Sequence, residues 1–187
     1  MNVEQFEFDW TISDTHLNHV KIREYEPMRL VWGSTLSAHN DTIINAWNSC
    51  IQPGQRVLHL GDWAMGPHWE WQGLRDRLNG DITIILGNHD REPLALEKMG
   101  FRILESLSFR DKNLGLVTCR HSPHHFTKEE MDTSDVLLYG HMHSKNHHAP
   151  FEAFGKKALC LSIEVLPNTP HPLSYNELVR VISQRFP

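Results

Sequence analysis

Short motifs with ligand-type side chains follow apolar runs at several points of the chain. The clearest apolar run is Ile82–Leu86, which continues into Gly87, Asn88, His89 and Asp90. The run predicts a strand buried on both faces, and the glycine allows a tight turn after it. Because ligands bind outside the carboxyl ends of strands in open α/β sheets, the amide, imidazole and carboxylate are predicted to lie at a site. Taken alone, the motif also fits a polar loop that only ends the strand.

The same arrangement recurs along the chain. Asp14 and His16 lie two residues apart, so both side chains point the same way from extended backbone. A glycine directly precedes Asp62, and another directly precedes His141. Five predicted strand ends thus carry the candidate ligands, which are Asp14, His16, Asp62, Asn88, His89, His121, His141 and His143.

This set of side chains favours a pair of metal ions over one structural zinc ion. A structural zinc site closes with four ligands that usually include cysteine, and the present set is larger and has no cysteine pair. Carboxylate, imidazole and amide ligands suit divalent ions such as Mn²⁺, Fe²⁺ or Zn²⁺. Two such ions about 3.5–4 Å apart can clamp a phosphoryl group and hold an activated water between them. Lowering the pKa of water from about 15.7 to about 7 corresponds to roughly 12 kcal/mol, which no single side chain supplies.

The composition is that of an ordinary globular chain with a high histidine content. Of the 187 residues, 40% are hydrophobic, 22% are charged, and 14 residues are histidine, the commonest metal ligand. The net charge of −5 argues against a nucleic-acid polymer as the main partner, although bound metal ions can attract small anions. Three widely spaced cysteines favour a reducing compartment, and neither a signal peptide nor a membrane span is predicted. We therefore expect a cytoplasmic protein without a membrane partner.

Periodicity and turn residues predict the elements that position these ligands. Ser37 is expected to cap a helix that runs to Cys50, and Trp69–Leu78 is expected to be the helix of a βαβ unit with parallel strands. Ser174 is expected to cap a C-terminal helix that ends near Gln184. No linker divides the chain, so we expect one domain over residues 1–187. The predicted strands are Phe6–Ile12, Arg56–Leu60, Ile82–Leu86, Leu104–Phe109, Leu114–Cys119, Val136–Tyr139 and Lys157–Val165.

In combination and in order, the motifs resemble those of the calcineurin-like metallophosphoesterases. The resemblance spans residues 14–143 and is most like the small, stand-alone bacterial and phage members, which have short segments between motifs. It implies an α/β fold, a four-layer αββα sandwich in which two mixed β-sheets are flanked by helices. The motifs are Asp14-x-His16, Gly61-Asp62, Gly87-Asn88-His89-Asp90, His121 and Gly140-His141-x-His143.

The resemblance also implies a role for each motif residue. Asp62 would bridge two metal ions, and His89 would protonate the leaving oxygen instead of binding metal. In the phosphoprotein phosphatases of this family, an Asp three residues after the bridging Asp orients that histidine. Here the position is Met65, which disfavours a phosphoprotein substrate and leaves the neighbouring Asp90 as one candidate for orienting His89. The first ion would be held by Asp14, His16 and His143, and the second by Asn88, His121 and His141.

These inferences predict a dinuclear metal-dependent phosphoesterase, a phosphoric ester hydrolase that acts on a small phosphate ester. A phosphodiester, nucleotide-derived esters included, is favoured over a phosphomonoester. The reaction would be attack by a metal-bridging hydroxide, with Asp62 and His89 as the catalytic residues. Mn²⁺ is the favoured ion, with Fe²⁺, Zn²⁺ or Ni²⁺ as alternatives. Substrate contacts are predicted for His19, His124 and Arg91, and a non-catalytic protein-interaction scaffold on the same fold is the alternative function.

Some histidines and tryptophans outside the motifs are expected to have no part in the site. Trp63, Trp69 and Trp71 are expected to pack in the core or on a helix, and Cys119 is expected to be a core residue. The histidines expected at the surface are His39, His147, His148 and His171.

Overall fold

Two β-sheets form the centre of the computed structural model, which describes residues 3–144, 157–167 and 169–186. In chain order the strands are β1 (Trp10–Ile12), β2 (Arg56–His59), β3 (Asp81–Ile85), β4 (Arg102–Leu104), β5 (Leu107–Asp111), β6 (Gly115–Cys119), β7 (Val136–Tyr139), β8 (Lys157–Cys160) and β9 (Leu173–Ser174). The first sheet has the order β4-β3-β2-β1-β9, and the second has the order β5-β6-β7-β8. Both sheets are mixed, because β9 is antiparallel to β1 and β5 is antiparallel to β6, whereas the other neighbours are parallel.

The described helices connect parallel strands and cover the sheets. They are α1 (Ile22–Tyr25), α2 (Leu36–Cys50), α3 (Trp71–Arg75), α4 (Pro93–Lys98), α5 (Lys128–Thr133) and α6 (Tyr175–Arg185). Short 3₁₀ turns lie at Pro27–Trp32, His68–Glu70, Pro123–His125 and Ile163–Val165. Because α3 joins β2 to the parallel strand β3, the predicted βαβ unit is confirmed.

The two sheets pack face to face around the main core. Leu58 and Ile84 of the first sheet belong to the same buried cluster as Val117 and Leu138 of the second. Alternate residues of β7 point the other way and pack with Met131 of α5 in a second cluster on the outer face. The predicted α/β sandwich of two mixed sheets flanked by helices is therefore confirmed.

Some predicted boundaries differ from the structure for identifiable reasons. Thr35, not Ser37, caps α2, because the Thr35 side chain accepts a hydrogen bond from the Ala38 amide. The predicted strand Leu104–Phe109 is two strands, because the chain leaves the first sheet after β4 and enters the second at β5. The predicted strand Lys157–Val165 ends at β8 and continues into a 3₁₀ turn. Ser174 caps α6 as predicted, in a capping box with Glu177.

Two expectations about single aromatic side chains are wrong. His39 is fully buried and stacks on Trp32, with ring centroids 5.9 Å apart, so it is not a surface residue. Trp63 and Trp71 are buried as expected, but the side chain of Trp69 is 73% exposed. The prediction for His147 and His148 falls outside the described residues. Among the described helices, none has the length and apolar character needed to cross a membrane.

Candidate metal centre

The candidate ligands lie in loops at the carboxyl ends of five strands, three from the first sheet and two from the second. The backbone of these loops is unusual. Left-handed φ angles at non-glycine residues cost of order 1–3 kcal/mol each and cluster at functional sites. In the described part of the chain, the non-glycine residues with positive φ all belong to these loops, and they are Asp14, His16, Asn18, Asp62, His141 and His143.

Glycines let these loops approach one another closely. A Cβ on Gly61 would lie 2.6 Å from the amide nitrogen of Gly87, and a Cβ on Gly87 would overlap the carboxylate of Asp62. A Cβ on Gly140 would lie 2.5 Å from Oδ2 of Asp14. The glycine before each motif is therefore required by the contact between loops, in addition to the turn that it makes.

The first ligand group consists of Asp14, His16 and His143. The Nε2 atoms of the two histidines lie 3.2 Å apart, and each is 3.9 Å from Asp14 Oδ1. Asp14 Oδ2 accepts hydrogen bonds from the His141 amide at 2.9 Å and from Ser162 Oγ at 2.8 Å. Oδ1 is buried and has no hydrogen-bond partner among the described residues. A buried carboxylate oxygen that is left free beside two imidazole nitrogens is suited to bind a cation.

The second ligand group consists of Asn88, His121 and His141, beside Asp62. His121 Nε2 lies 3.2 Å from Asn88 Oδ1 and 3.4 Å from Asp62 Oδ2. The rings of His121 and His141 are 5.1 Å apart. His121 Nδ1 donates a hydrogen bond to the Leu60 carbonyl at 2.7 Å, which directs Nε2 toward the other ligands.

Asp62 lies between the two groups, because its Oδ2 is 3.6 Å from His16 Nε2 and 3.4 Å from His121 Nε2. Burial opposes the charge of this carboxylate, but His121 and His16 outweigh burial and lower the pKa of Asp62 well below its usual value. Burial lowers the pKa of His16, so this imidazole is neutral. Burial acts in the same direction on His121, but Asp62 raises the pKa of His121 to about 9, so a metal ion must displace that proton.

The donor set fits two divalent ions. His16, His121, His141 and Asp62 all belong to triads whose ligand atoms lie within 4.8 Å of one another, and the shared carboxylate adjoins both groups. Oxygen and imidazole donors without thiolate suit Mn²⁺, Fe²⁺ or Zn²⁺. The structure thus brings the predicted ligand residues close together, with Asp62 in the second triad and Asn88 Oδ1 3.2 Å from His121 Nε2. The triads are Asp14, His16 and His143, and Asp62, His121 and His141.

His89 lies on the open side of this centre. Its ring centroid is 5.4 Å from that of His16 and 6.1 Å from that of His19, and no described residue hydrogen-bonds to the His89 ring. His89 belongs to neither ligand triad. The side chain borders a cavity of about 320 Å³, which is lined by Asp62, Asn88, His89, His141, Met142 and His143.

Asp90 holds backbone instead of orienting the His89 ring. Its buried carboxylate accepts hydrogen bonds from the amides of Asp62 at 2.7 Å, Gly87 at 2.8 Å and Trp63 at 3.1 Å. Burial, together with the charge of Asp62, raises the pKa of Asp90 to about 6. Asp90 therefore ties the loop after β3 to the loop that carries Asp62.

The residues predicted to contact substrate lie at different positions around the centre. His19 is half-buried, and its ring centroid is 5.2 Å from that of His16. Arg91 is exposed, and its Nε donates to the Asn88 carbonyl at 3.3 Å. His124 is exposed in the 3₁₀ turn Pro123–His125. A substrate contact by any of these three residues stays a prediction.

Three residues outside the motifs contact the candidate ligands or each other and hold them in place. Ser162 and Glu164 contact Asp14 and His143, respectively, and Arg29 is fully buried against Glu164. Ser162 and Glu164 follow β8 as the other motifs follow their strands. Neither residue was predicted to support the site, because the predicted strand extended to Val165 and so included both residues. Nothing in the local sequence marks Arg29.

Comparisons with known proteins support the fold. No protein-family model matches the chain. The uncharacterized protein MJ1445 of Methanocaldococcus jannaschii is 29% identical over 181 residues, which cover 94% of this chain and 91% of that protein. The crystal structure of AQ665, a protein of unknown function from Aquifex aeolicus, aligns with a TM-score of 0.74 and 22% identity, covering 92% of this chain and 97% of that one. A novel archaeal phosphodiesterase aligns with a TM-score of only 0.41 and 22% identity, covering 72% and 73% of the two chains, and this likeness is too low to carry a conclusion.

Proposed function

We propose that the chain is a calcineurin-like metallophosphoesterase domain that binds two divalent ions and hydrolyses a small phosphate ester, with a phosphodiester as the favoured substrate. The observation that carries the proposal is the position of Asp62, whose Oδ2 adjoins His16 of one ligand group at 3.6 Å and His121 of the other at 3.4 Å. One carboxylate between two sets of imidazoles suits two neighbouring ions, whereas a single structural ion needs only four ligands.

Metal ions at the two groups would act as Lewis acids, lowering the pKa of water from about 15.7 to about 7 and stabilising charge on the phosphoryl oxygens. The chain contributes ligands whose positions are set before substrate arrives. Ser162 fixes Asp14 through Oδ2, and Asp90 fixes the backbone of Asp62. Such preorganisation avoids reorganisation of the site during the reaction.

His89 is proposed as the general acid that gives a proton to the leaving oxygen. Its side chain borders the cavity, it is part of neither ligand triad, and no described residue hydrogen-bonds to its ring, so the ring can contact a substrate. The His89 amide donates to Asp62 Oδ1 at 2.9 Å, which holds the His89 backbone against the shared carboxylate. A positioned general acid typically contributes about 10²–10⁴-fold.

The dimensions of the cavity favour a small ester. Its volume of about 320 Å³ lies at the lower end of the range of roughly 300–1,000 Å³ for small-molecule sites. Met65 at the position where the phosphoprotein phosphatases have an aspartate also argues against a phosphoprotein substrate.

The test is turnover by protein that has been stripped of metal and then reloaded with Mn²⁺. We expect metal-dependent hydrolysis of bis-p-nitrophenyl phosphate, faster than that of p-nitrophenyl phosphate, and then of one or more nucleotide diesters in a panel of linear and cyclic compounds. Asp62→Asn should abolish this activity, whereas Asp41→Asn, at a half-exposed position of α2 that pairs with Arg77, should not. Metal-loaded protein that hydrolyses no ester would instead favour the non-catalytic scaffold.

A further inference from the structure

Arg29 and Glu164 form a buried ion pair next to His143. Arg29 Nε donates a hydrogen bond to Glu164 Oε1 at 2.6 Å, and neither side chain has exposed surface. The same carboxylate oxygen accepts a hydrogen bond from His143 Nδ1 at 3.0 Å. Arg29 and Glu164 are 135 residues apart in the chain, so only the fold brings them together.

Arg29 also holds the backbone of the first ligand loop. Its Nη1 donates to the Thr15 carbonyl at 2.9 Å, and its Nη2 donates to the Asp14 carbonyl at 2.6 Å. The φ angles of Asp14 and His16 are 57° and 47°, a conformation that persists only where neighbours fix it. One guanidinium therefore fixes both this loop and the carboxylate that contacts His143.

The bond to Glu164 selects one tautomer of His143. An ionised carboxylate can only accept, so in the neutral imidazole Nδ1 carries the proton and Nε2 keeps its lone pair. That Nε2 is the atom 3.9 Å from Asp14 Oδ1 and 3.2 Å from His16 Nε2. A carboxylate partner fixes the ring of a metal-binding histidine and makes it a stronger ligand.

Among the described residues, the histidines of the second ligand group have no comparable carboxylate partner on the nitrogen that faces away from the site. The partner of His121 is the neutral carbonyl of Leu60, and no described residue hydrogen-bonds to the His141 ring. The second group also has the neutral amide of Asn88 where the first has the carboxylate of Asp14. Both differences favour cation binding at the first group.

We propose that Glu164, held by Arg29, is a positioning residue for His143 that makes the first ligand group bind a divalent ion more tightly than the second. The inference rests on the proposed metal pair and adds an order of filling to it. The first group, Asp14, His16 and His143, fills at low metal concentration. The second, Asn88, His121 and His141, fills at higher concentration, and turnover rises with the second ion.

The main test is a titration of metal-free protein with Zn²⁺ in competition with a chelating dye. Wild-type protein should show two unequal dissociation constants. Glu164→Gln keeps the size of the side chain but removes its charge, and it should weaken the tighter site about 10- to 100-fold while leaving the weaker site nearly unchanged. Glu130→Gln is the matched control, because Glu130 is also a poorly exposed glutamate paired with an arginine, Arg120, at 2.7 Å, and it should change neither constant.

A double variant distinguishes the loss of His143 positioning by Glu164 from repulsion of the cation by the charge of Arg29. Glu164→Gln leaves Arg29 unpaired, and that positive charge could itself repel a cation. Arg29→Met/Glu164→Gln removes both charges. Because Arg29 also holds the Asp14 and Thr15 carbonyls, Arg29→Met is measured alone as the reference. If the tighter site is weaker in the double variant than in Arg29→Met, the lost carboxylate at His143 is responsible. If affinity returns to the wild-type value, the positioning role is overturned.

A measurement on wild-type protein keeps the inference testable if the buried variants do not fold. In Zn²⁺-loaded protein, the imidazole ¹⁵N spectrum should show the His143 proton on Nδ1. During the titration, the signals of His16 and His143 should change before those of His121 and His141. A proton on Nε2 of His143, or simultaneous or reversed filling, would overturn the inference while leaving the metal pair intact. Wild-type protein that binds no ion would refute the proposed function itself.

Discussion

Both edges of the β-sheets contain residues with left-handed φ angles, but the residue types at these positions differ. At the amino ends of the described strands, the left-handed positions are glycines, namely Gly54 before β2, Gly80 before β3, Gly100 before β4 and Gly115 in β6. At the carboxyl ends, Gly61 is left-handed too, but aspartates and histidines also adopt left-handed φ, as at Asp62 with 55° and His141 with 70°. Glycine adopts this conformation without steric cost, whereas other residues lose of order 1–3 kcal/mol. The carboxyl edge keeps its side chains despite this strain, which is the pattern expected where the side chains act.

The charged side chains of the two edges differ in their exposure and in their pairing. A cavity of about 650 Å³ at the amino edge, larger than the one beside His89, is lined by aromatic rings and by charged side chains, some of which are paired with one another. Arg56, for example, contacts Glu7 at 2.7 Å and Asp9 at 3.2 Å. At the carboxyl edge the carboxylates are buried, and one oxygen of Asp14 is left without a partner among the described residues. Strain and unsatisfied buried atoms thus mark the candidate metal centre better than cavity volume does.

The largest effect is expected from Asp62→Ala. Because this carboxylate adjoins both ligand groups, the variant should lose both ions and its turnover should fall to the metal-free background. His16→Ala should mainly empty the first group. The measurement is metal content per chain after dialysis, with circular dichroism as the control for folding. Wild-type protein that saturates with one ion while active would contradict the dinuclear centre.

His89→Ala should retain its metal ions but lose activity in a way that depends on the leaving group. On an alkyl or nucleoside ester, whose alkoxide needs a proton to leave, the loss should be about 10²–10⁴-fold. On bis-p-nitrophenyl phosphate, whose leaving group is a weak base, much of the rate should remain. The measurement is the ratio of the kcat/KM losses on the two substrates. Equal losses would assign His89 to phosphate positioning, and loss of an ion would make it a ligand.

Gly87→Ala should impair the centre by steric overlap alone. The added Cβ would overlap the Asp62 carboxylate, and a misplacement of about 1 Å can cost roughly 100-fold in rate. Gly73→Ala is the matched control, because a Cβ there meets nothing within 4 Å and α3 should gain up to about 1 kcal/mol in helix propensity. Turnover and thermal unfolding of both variants decide the outcome. A fully active Gly87→Ala protein would show that the loops are not held in this close contact.

Buried His39 is not a candidate ligand, so it tests how burial of a histidine alone makes the folding stability depend on pH. Burial lowers the pKa of His39 to about 4, whereas an unfolded histidine has a pKa near 6.5. Between these values the unfolded state binds the extra proton, so stability should fall as pH is lowered from about 6.5 toward 4, by up to about 1.4 kcal/mol per pH unit. Urea unfolding of metal-free protein at several pH values, compared with His39→Gln, measures this contribution. Equal pH dependence in the two proteins would show that His39 is protonated in the folded state.

The smallest effect is expected from Glu7→Gln at the amino edge. Glu7 is largely exposed, and exposed ion pairs contribute at most about 1 kcal/mol. Metal content and kcat/KM should be unchanged, and the small loss of stability should disappear in high salt. A clear loss of activity in this variant would remove the proposed distinction between the two edges.

Local sequence was sufficient to predict that the candidate ligands follow strands and lie at one edge of the sheets. Asp62 and Asn88 each come directly after a glycine at the end of an apolar run, and buried parallel strands deliver such residues to one edge of a sheet. Periodicity likewise predicted α6 and its cap at Ser174. Boundaries were wrong where partner strands decide them, as between β4 and β5, since a switch between sheets has no local signature.

By itself, therefore, the sequence determined which residue types meet at the carboxyl edge and the chemistry that they support. Only the tertiary structure decided that Asp62 Oδ2 lies between the two histidine groups and that Arg29 and Glu164 support one group alone. The physical reason is range. Strand and turn preferences act over a few residues, whereas a buried ion pair between residues 135 positions apart forms only when the core has packed and excluded water from it.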